Sequence, residues 1–326
     1  MALLAAAMCV AGCGSKVDLS KVTYTRTTVP PTGGTKTSTP KTSGTGAPNA
    51  NEAFSAAKLR EIDACALLDK DLLSKVGVAD EPDVTDFSRC SHFTKDKEGK
   101  DLNISLTIGE GLYEDVSDAK GNIGGLPAIE SELDDKTACF ETAVTQASPA
   151  RGIKVQIGGK AANMCDVGRT VLTAAVQRIR TDPPKYQLKP GSLVPVDPCA
   201  ALTEADVTGL LGSGSEMRPT NLHWCTWSLK DAELWVWLSS GVDPAKVADP
   251  AKTKKVDVAG VSAIQEADSS SGGAKCSIEW AHLGLGGSDA EVVNATFIRS
   301  TAQPGEDACA KAAVIARTLV PKLPKS

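Results

Sequence analysis

The chain has 326 residues, of which 23% are charged and 41% hydrophobic, and its formal net charge is −5. This length is enough for two domains of ordinary size, each with its own core. The mildly acidic balance argues against nucleic acid as a partner and against binding to an anionic membrane surface. No apolar run after the N-terminus approaches the roughly 18–20 residues that span a bilayer.

The first residues form a short apolar run from Ala2 that ends in Val10-Ala11-Gly12-Cys13-Gly14. Such a run is too short for a membrane-spanning helix and is typical of a targeting segment. The stretch resembles the lipobox of bacterial lipoproteins, in which a pair of small residues precedes a cysteine that becomes the lipidated first residue. This resemblance implies a signal peptide over residues 1–12, a lipid on Cys13, and attachment to the cell membrane at its extracytoplasmic face.

Residues 13–56 contain few large apolar side chains and are rich in Thr, Pro, Gly and Ser. Such a segment cannot bury enough surface to offset the entropy that is lost on ordering. We therefore predict a disordered tether with an r.m.s. span on the order of 35 Å, which holds a folded region clear of the membrane.

The chain has ten cysteines, of which Cys9 lies in the segment to be removed and Cys13 is the expected lipid site. An even set in an oxidising compartment predicts disulfides, and no Cys-x-x-Cys pair indicates a redox motif or a zinc ribbon. The eight remaining cysteines are Cys65, Cys90, Cys139, Cys165, Cys199, Cys225, Cys276 and Cys309.

These eight cysteines form an internal repeat. Their successive separations are 25, 49 and 26 residues in the first four and 26, 51 and 33 residues in the second four. Between the second and third cysteine each set carries a matching pentapeptide, Gly125-Leu126-Pro127-Ala128-Ile129 and Gly260-Val261-Ser262-Ala263-Ile264. The extra length of the second set is assigned to a glycine-rich loop at residues 284–287. The pattern indicates a tandem duplication of one four-cysteine module.

The repeat divides the chain into a first module at residues 57–181, a linker at 182–193 and a second module at 194–324. Four cysteines allow three pairings within a module. We predict that the first cysteine pairs with the second and the third with the fourth, because this joins each helix to a neighbouring strand. In the loop-entropy model each such bond stabilises the fold by about 3 kcal/mol.

Each module is predicted to be α+β, an antiparallel sheet with an N-terminal and a C-terminal helix. Asp69 and Thr203 are predicted to cap the N-terminal helices, and Gly77 and Gly212 to end them in the left-handed conformation. The C-terminal helices are predicted at Cys165–Arg180 and Cys309–Val320. The predicted strands are Leu102–Ile108, Cys139–Val144, Lys154–Gly158, Glu233–Leu238, Cys276–Trp280 and Val292–Arg299.

The second module carries the segments Asp197-Pro198-Cys199-Ala200-Ala201-Leu202-Thr203, Trp224-Cys225-Thr226-Trp227 and Asp307-Ala308-Cys309-Ala310. These segments resemble a family of actinobacterial secreted lipoproteins of unknown function. The first module matches more loosely and joins the resemblance through the repeat. The resemblance implies a location in the cell envelope and implies no catalytic residues.

The usual catalytic motifs are missing from the sequence: it has no Gly-x-Ser-x-Gly elbow, no His-Glu-x-x-His and no phosphate- or dinucleotide-binding glycine pattern. His92, His223 and His282 lack metal-ligand spacing, so we expect surface or partly buried histidines without a functional role. Two acidic clusters, one in a loop with Glu110, Glu114 and Asp115 and one at residues 130–135, are expected to be solvated faces. We therefore predict a protein that is not an enzyme and that has no metal and no cofactor.

All five tryptophans fall in the second module, and Trp235 and Trp237 share one face of a predicted strand whose other face is also apolar. One interpretation is a central strand packed on both faces, and the other is an aromatic platform that binds a glycan, lipid or peptide. Trp224, Trp235 and Trp237 are the candidate ligand-binding residues.

Together these features lead us to expect a monomeric lipoprotein of the cell envelope that binds a ligand or protein partner without catalysis. The second module would be the recognition half. The alternatives are an enzyme that acts on an envelope polymer through carboxylates and a structural spacer. A deep pocket with converging Asp or Glu would favour the enzyme, and an apolar groove near the tryptophans would favour the binder.

Overall fold

Two seven-stranded antiparallel sheets make up most of the protein. The computed structural model describes residues 52–112, 116–161, 163–269 and 273–325, which lie in one compact unit. The lipobox, Cys13 and residues 14–51 of the expected tether lie outside the described residues. The last residues assigned to the tether belong to the folded part instead, because Phe54 is buried in the first core.

The first sheet is built from the first half of the described chain. Its strands are β1 (Val78–Asp86), β2 (Arg89–Lys95), β3 (Asp101–Gly111), β4 (Gly121–Ile123), β5 (Leu126–Glu132), β6 (Ala138–Ala147) and β7 (Ala150–Gly159). They are arranged in the order β1-β2-β3-β7-β6-β5-β4.

The second sheet has the same strand order in the second half of the chain. Its strands are β8 (Glu216–Pro219), β9 (Trp224–Leu229), β10 (Ala232–Val242), β11 (Thr253–Val258), β12 (Val261–Asp268), β13 (Ala274–Gly286) and β14 (Asp289–Arg299). Read from the corresponding edge, their order is β8-β9-β10-β14-β13-β12-β11. The residues that we assigned to a glycine-rich loop instead extend the β13–β14 hairpin, since β13 continues to Gly286.

Short helices precede each sheet and one long helix follows it. The helices are α1 (Ala56–Arg60), α2 (Ala64–Leu67), α3 (Lys70–Leu73), α4 (Met164–Thr181), α5 (Pro198–Ala201), α6 (Glu204–Leu211), α7 (Pro244–Val247) and α8 (Ala308–Leu319). Helix α4 packs against β6 and β7, and α8 packs against β13 and β14. Among the described residues, no helix is both long and apolar enough to cross a membrane.

The C-terminal helices bury the face that their sequences predict. In α4 the residues that recur at helical spacing, Val171, Leu172, Ala175, Val176 and Ile179, are all buried in the first core. The helix therefore covers one face of the first sheet, as helix α8 covers one face of the second. The opposite face of each sheet is left for polar or functional side chains.

The four disulfides have the pairing that we predicted. They are Cys65–Cys90, Cys139–Cys165, Cys199–Cys225 and Cys276–Cys309. Each half of the chain contains two of these disulfides. The first joins a short N-terminal helix to the second strand of that half, and the second joins the start of the long helix to the sixth strand of that half. The aspartate two residues before the helical cysteine caps the helix, because Asp63, Asp197 and Asp307 accept hydrogen bonds from the cysteine amides.

Asp69 and Thr203 cap helices as predicted. The Asp69 side chain accepts a hydrogen bond from the amide of Leu72, and Thr203 forms a full capping box with Asp206. Gly212 ends α6 with a positive φ of 109°. The prediction for Gly77 was wrong: α3 ends at Leu73, and position 77 excludes a side chain because a Cβ would lie 2.1 Å from the Lys95 carbonyl oxygen.

The pentapeptides begin at equivalent hairpin turns. Gly125 precedes β5 and Gly260 precedes β12, and both have a φ of 85°. Their amides donate to the side chains of Asn122 and Asp257, at 2.9 Å and 3.1 Å respectively. A glycine is favoured here because a Cβ disfavours the left-handed conformation that this turn requires.

At their boundary, each half inserts one apolar side chain into the core of the other half. Phe87, in the β1–β2 turn, is buried in the second core, whereas Leu222, in the β8–β9 loop, is buried in the first core. The Leu222 side chain lies where a Cβ on Gly109 would be, at 2.3 Å, so that a glycine is needed for this close approach. The exchange ties the sheets together even though each has its own hydrophobic core.

Candidate functional site

Three tryptophans lie together on the face of the second sheet that is opposite α8. Trp224 in β9 pairs with Trp237 in β10, and Trp235 follows on the same face. The ring centroids of Trp224 lie 5.4 Å from Trp235 and 5.6 Å from Trp237. All three side chains are partly exposed, whereas Trp227 and Trp280 point the other way and are buried in the core.

This arrangement has features of both interpretations of the tryptophan-rich strand. Strand β10 is central, because β9 and β14 flank it, and its Leu234, Val236 and Leu238 side chains are completely buried. The tryptophan face is covered in part and remains partly open to solvent. The three candidate residues therefore form one surface cluster, which we call the tryptophan cluster (Trp224, Trp235 and Trp237).

The first sheet serves as an internal control for the tryptophan cluster. The pairing of Cys90 with Leu106 and of Cys225 with Val236 fixes the register between the two sheets. In that register the positions of Trp224, Trp235 and Trp237 are occupied in the first sheet by Arg89, Ser105 and Thr107. The same strand geometry forms with small or charged side chains on this face, so that the fold does not require the tryptophans.

A cleft of about 410 Å³ opens where the tryptophan cluster meets the first sheet. This volume lies within the range of small-molecule binding sites, roughly 300–1,000 Å³. The second half of the chain contributes Trp224, Trp237, Thr220 and Asn221 to the lining. The first half contributes the polar side chains Asp86, Arg89, Ser105, Thr107, Glu110, Lys154 and Gln156.

The charges in this cleft are balanced. Lys154 Nζ lies 3.2 Å from Glu110 Oε1, and both side chains are about one-third exposed. Asp86 is buried, and burial raises the pKa of its carboxyl group, although a hydrogen bond from the Ser88 amide and the nearby Arg89 oppose the rise. Two acidic and two basic side chains thus line the cleft, which gives it no strong preference for an ion of either sign.

Two hydrogen-bond donors of the tryptophan cluster are unsatisfied. Within the part of the chain that the structure describes, the indole N–H groups of Trp224 and Trp237 are buried and have no acceptor. Trp235 differs, since its Nε1 donates to Glu233 Oε2 at 2.8 Å. Leaving a buried donor without an acceptor costs roughly 1–3 kcal/mol, so an acceptor brought by a ligand would be favourable here.

A second cavity, of about 630 Å³, lies at the other end of the first sheet and contains Glu141. The Glu141 side chain is only 2% exposed, and Arg169 Nη1 lies 3.4 Å from its carboxylate while also pairing with Glu130 and Asp166. Burial, together with the charge of Asp166, raises the pKa of Glu141 to about 7. The second sheet has Ile278 at this position, because Glu141 faces Val155 as Ile278 faces Ala295.

The histidines are more deeply buried than we predicted. His92 is 3% exposed and His223 is completely buried, because His92 points into the first core and His223 fills the boundary between the halves. His223 Nε2 donates to the Val194 carbonyl at 2.7 Å, which leaves Nδ1 to accept from the Ser88 hydroxyl at 2.7 Å. Burial lowers the pKa of His223 to about 4, so that the ring is neutral. His282 is half-buried near the Gly191 carbonyl.

Sequence reasoning found the tryptophan cluster and missed the part of the cleft that the first half supplies. The expectation for the acidic residues holds in the β5–β6 hairpin, where Glu130, Glu132, Asp134 and Asp135 are exposed. Arg89 could have been found, since it precedes Cys90 as Trp224 precedes Cys225. The expectation for Glu110 was wrong, because it lies near the end of β3, pairs with Lys154 and lines the cleft. Neither residue could be assigned to the cleft from the sequence, because only the packing of one sheet beside the other brings them to the tryptophans.

The fold and this site define an α+β protein with two disulfide-stapled sheets and an aromatic, polar cleft at their boundary. Residues 180–322, which begin at the end of α4 and include the whole second sheet, match the model of a family described as "Protein of unknown function (DUF3558)". No curated protein matches the chain.

Among solved structures, the apo structure of the immunity protein TplEi of the T6SS from Pseudomonas aeruginosa is similar to this chain with a TM-score of 0.27 and 12% identity. The similarity covers 75% of this chain and 97% of that one. At this level it supports no argument about fold or function.

Proposed function

We propose that the protein is a lipoprotein of the cell envelope, anchored through Cys13, that binds a ligand in the cleft beside the tryptophan cluster without catalysing a reaction. The anchor is supported by the Val10–Cys13 stretch and by the four disulfides, which suit an oxidising compartment. The proposal also places the protein in the cell envelope of an actinobacterium, as the sequence resemblance implies.

The two halves descend, in this proposal, from one duplicated four-cysteine module. The support is the shared strand order, the equivalent disulfides and the equivalent glycine turns. The two halves then differ at this face: the second half carries the tryptophan cluster and is the proposed recognition half, and the first half has Arg89, Ser105 and Thr107 at the same positions.

The observation that carries the binding proposal is the placement of three tryptophans where the sister sheet has an arginine, a serine and a threonine. A partly exposed aromatic cluster of this kind leaves apolar area in contact with water, and the fold does not require it. Two unsatisfied indole donors add to that cost. Both features are expected of a surface that is kept for a ligand.

Native mass spectrometry of the acylated, full-length protein tests the proposal. We expect a retained ligand after purification from its natural host, seen as added mass beyond the acylated chain with four disulfides. The variants Trp224→Arg, Trp235→Ser and Trp237→Thr place the sister residues in the cluster and should lose that mass while they keep the fold. A bare mass for the wild type, with no binding to any envelope fraction, would contradict the proposal.

The anchor is tested separately with Cys13→Ala. The wild-type protein should partition into detergent and carry acyl mass on its N-terminal peptide. The variant should lose both properties while the folded region stays intact. Equal partitioning of the two proteins would contradict lipidation at Cys13.

A second candidate function, hydrolysis of an envelope polymer, is favoured by Glu141. A carboxyl group with a pKa of about 7 can donate a proton near neutral pH, and Glu130 lies in the same cavity. However, Arg169 engages both Glu130 and Asp166, which leaves neither carboxylate free. Release of fragments from labelled oligosaccharides, abolished by Glu141→Gln, would support the enzyme.

A further inference from the structure

We propose that the ligand of the cleft is a glycan chain, which stacks on the tryptophan cluster and is hydrogen-bonded by polar side chains of the first sheet. This inference rests on the proposed binding function and specifies its ligand. It follows from the shape of the aromatic surface, from the polar groups that face it and from the way in which the strands are paired.

The tryptophan cluster offers flat aromatic surface at a partly exposed site. Trp224 and Trp237 are tilted by 31° to each other, and Trp224 and Trp235 by 65°, so that their rings form a faceted wall and not one plane. The face of an indole ring is electron-rich and attracts weakly positive C–H groups. A sugar ring presents such C–H groups on one face and hydroxyl groups around its edge.

Polar groups on the rest of the cleft lining suit the hydroxyl groups of a sugar. The first sheet supplies the Arg89 guanidinium group, the Gln156 amide and the Thr107 hydroxyl, and Thr220 and Asn221 line the cleft beside the tryptophans. These groups act as donors and acceptors, which is what ring hydroxyls require. The two unsatisfied indole N–H groups are buried, so they reach a hydroxyl or acetamido oxygen of the sugar only when the indole rings turn.

The same features argue against the other ligand classes. An acyl chain would leave the Glu110–Lys154 ion pair and the buried Asp86 facing hydrocarbon, which costs free energy. A peptide could not add as a strand at the cluster, because Trp235 lies in a central strand that is paired with Thr226 on one side and Thr296 on the other. A strongly charged ligand would meet a cleft with balanced charge.

The site extends beyond one sugar ring. A neighbouring cavity of about 280 Å³ shares Lys154 with the cleft and is lined by Phe140 and Thr142 on the same face of the first sheet. Lys154 Nζ lies 5.9 Å from the centre of the Phe140 ring. The two cavities adjoin at Lys154 and each has an aromatic ring, so the proposed track for an oligosaccharide runs from one cavity to the other.

The test is a titration of the acylated, full-length protein in a polyoxyethylene detergent, which carries no sugar headgroup. The probes are chitotetraose, laminaritetraose and α-1,6-mannotetraose, and the signal is tryptophan fluorescence. We expect a saturable change with at least one of these probes. Trp237→Thr and Trp224→Arg should weaken that binding by about tenfold each, which corresponds to the roughly 1.4 kcal/mol of an aromatic contact.

Phe93→Thr is the matched control, because Phe93 is an aromatic residue that is 60% exposed and lies outside the linings of both cavities. It should bind the oligosaccharide as the wild type does. If the oligosaccharide continues along the track, Phe140→Ala should weaken binding of the tetrasaccharide and leave binding of the corresponding disaccharide unchanged.

Three results would overturn the inference, each in a distinguishable way. Retention of a peptide or a lipid that Trp237→Thr abolishes, with no response to any oligosaccharide, would refute the glycan and leave the binding function standing. An absence of any bound molecule and of any response to the probes would refute both. Equal oligosaccharide affinity in the wild type and in both tryptophan variants would place the sugar elsewhere and refute the inference.

Discussion

Phe87 and Leu222 occupy corresponding turns in the two sheets, and each is buried in the hydrophobic core of the other half. The carbonyl groups of both residues are held as well, because the Tyr186 hydroxyl donates to Phe87 at 2.8 Å and Arg60 Nε donates to Leu222 at 3.1 Å. Arg60 also forms an ion pair of 2.5 Å with Asp197, which caps a helix of the second half. The two cores are thereby coupled, and the cleft between the sheets keeps a fixed shape.

We predict that Leu222→Ala destabilises the first sheet although the residue belongs to the second half. The substitution removes a side chain that is 1% exposed and leaves a cavity that the neighbouring strands cannot fill. The expected loss in the free energy of unfolding is about 3 kcal/mol. Urea unfolding followed by circular dichroism measures it.

Leu188→Ala is the control for this substitution, since that leucine is 46% exposed and its truncation should cost little. Unfolding of the wild type should be one transition, because the exchanged side chains couple both cores. A Leu222→Ala variant as stable as the wild type, or a wild type that unfolds in two separate transitions, would disprove the coupling.

A second prediction concerns acid and His223. Folding lowers the pKa of this imidazole from 6.5 to about 4, chiefly through burial, so that the unfolded chain binds more protons between these values. The contribution of His223 to the free energy of unfolding should therefore be greatest above pH 6.5 and decrease by up to roughly 3 kcal/mol as the pH drops towards 4.

The comparison with His223→Gln isolates the effect of His223. Glutamine can still donate to the Val194 carbonyl and does not titrate, so that its unfolding free energy should fall less between pH 7 and pH 4. The readout is the difference between the two pH profiles and not the absolute stability of the variant. Parallel profiles would show that His223 is protonated in the folded protein without penalty.

Much of the architecture was predictable because the cysteines impose it. Their spacing predicted the repeat and all four disulfides, and the apolar face of α4 predicted the closing helix. All four edge strands are among the strands that the pattern missed, including β1 with Pro82 and β11 with Lys254 and Lys255. Proline and lysine are tolerated at an edge, where one side of the backbone needs no partner, so these segments do not resemble buried strands.

The candidate site was predictable only in its aromatic half. Trp235 and Trp237 are two residues apart on a strand, so the local sequence alone shows that they share a face. Trp224 lies beside them because β9 pairs with β10. The contribution of Lys154 depends on how one sheet lies beside the other, and no local pattern contains that information. Glu141 was missed for a related reason, since its side chain shares the buried face of β6 with Cys139 and Ala143 and the sequence pattern gives no sign of a buried carboxylate there.

A third prediction concerns Glu141, whose pKa is raised to about 7 mainly by burial. A carboxyl group whose pKa is higher in the folded than in the unfolded chain makes the fold less stable at pH values where the group ionises. The contribution of Glu141 to the free energy of unfolding should therefore decrease as the pH rises from about 4.5 through 7. We expect roughly 2 kcal/mol, less than the full shift implies, because Arg169 lies beside the carboxylate and offsets part of the cost.

Glu141→Gln removes this titration and should be more stable than the wild type at pH 8, while the difference shrinks at pH 5. Glu132→Gln is the matched control, as Glu132 is an exposed acid in the adjacent strand. Thermal unfolding at both pH values provides the measurement. Equal behaviour of Glu141→Gln and Glu132→Gln would show that Glu141 ionises freely.

The last prediction compares the equivalent disulfides that hold the long helices. Cys139–Cys165 closes a loop of 26 residues and Cys276–Cys309 closes a loop of 33 residues. In the loop-entropy model both contribute about 3.5 kcal/mol, and their difference is only a few tenths because the entropy grows with the logarithm of loop length. Replacing either pair by alanines should therefore lower the free energy of unfolding in urea by similar amounts. A much larger loss for Cys276–Cys309 would mean that the bond also maintains the native packing of α8 on β13, and the two bonds would then not be equivalent in energy although they are equivalent in position.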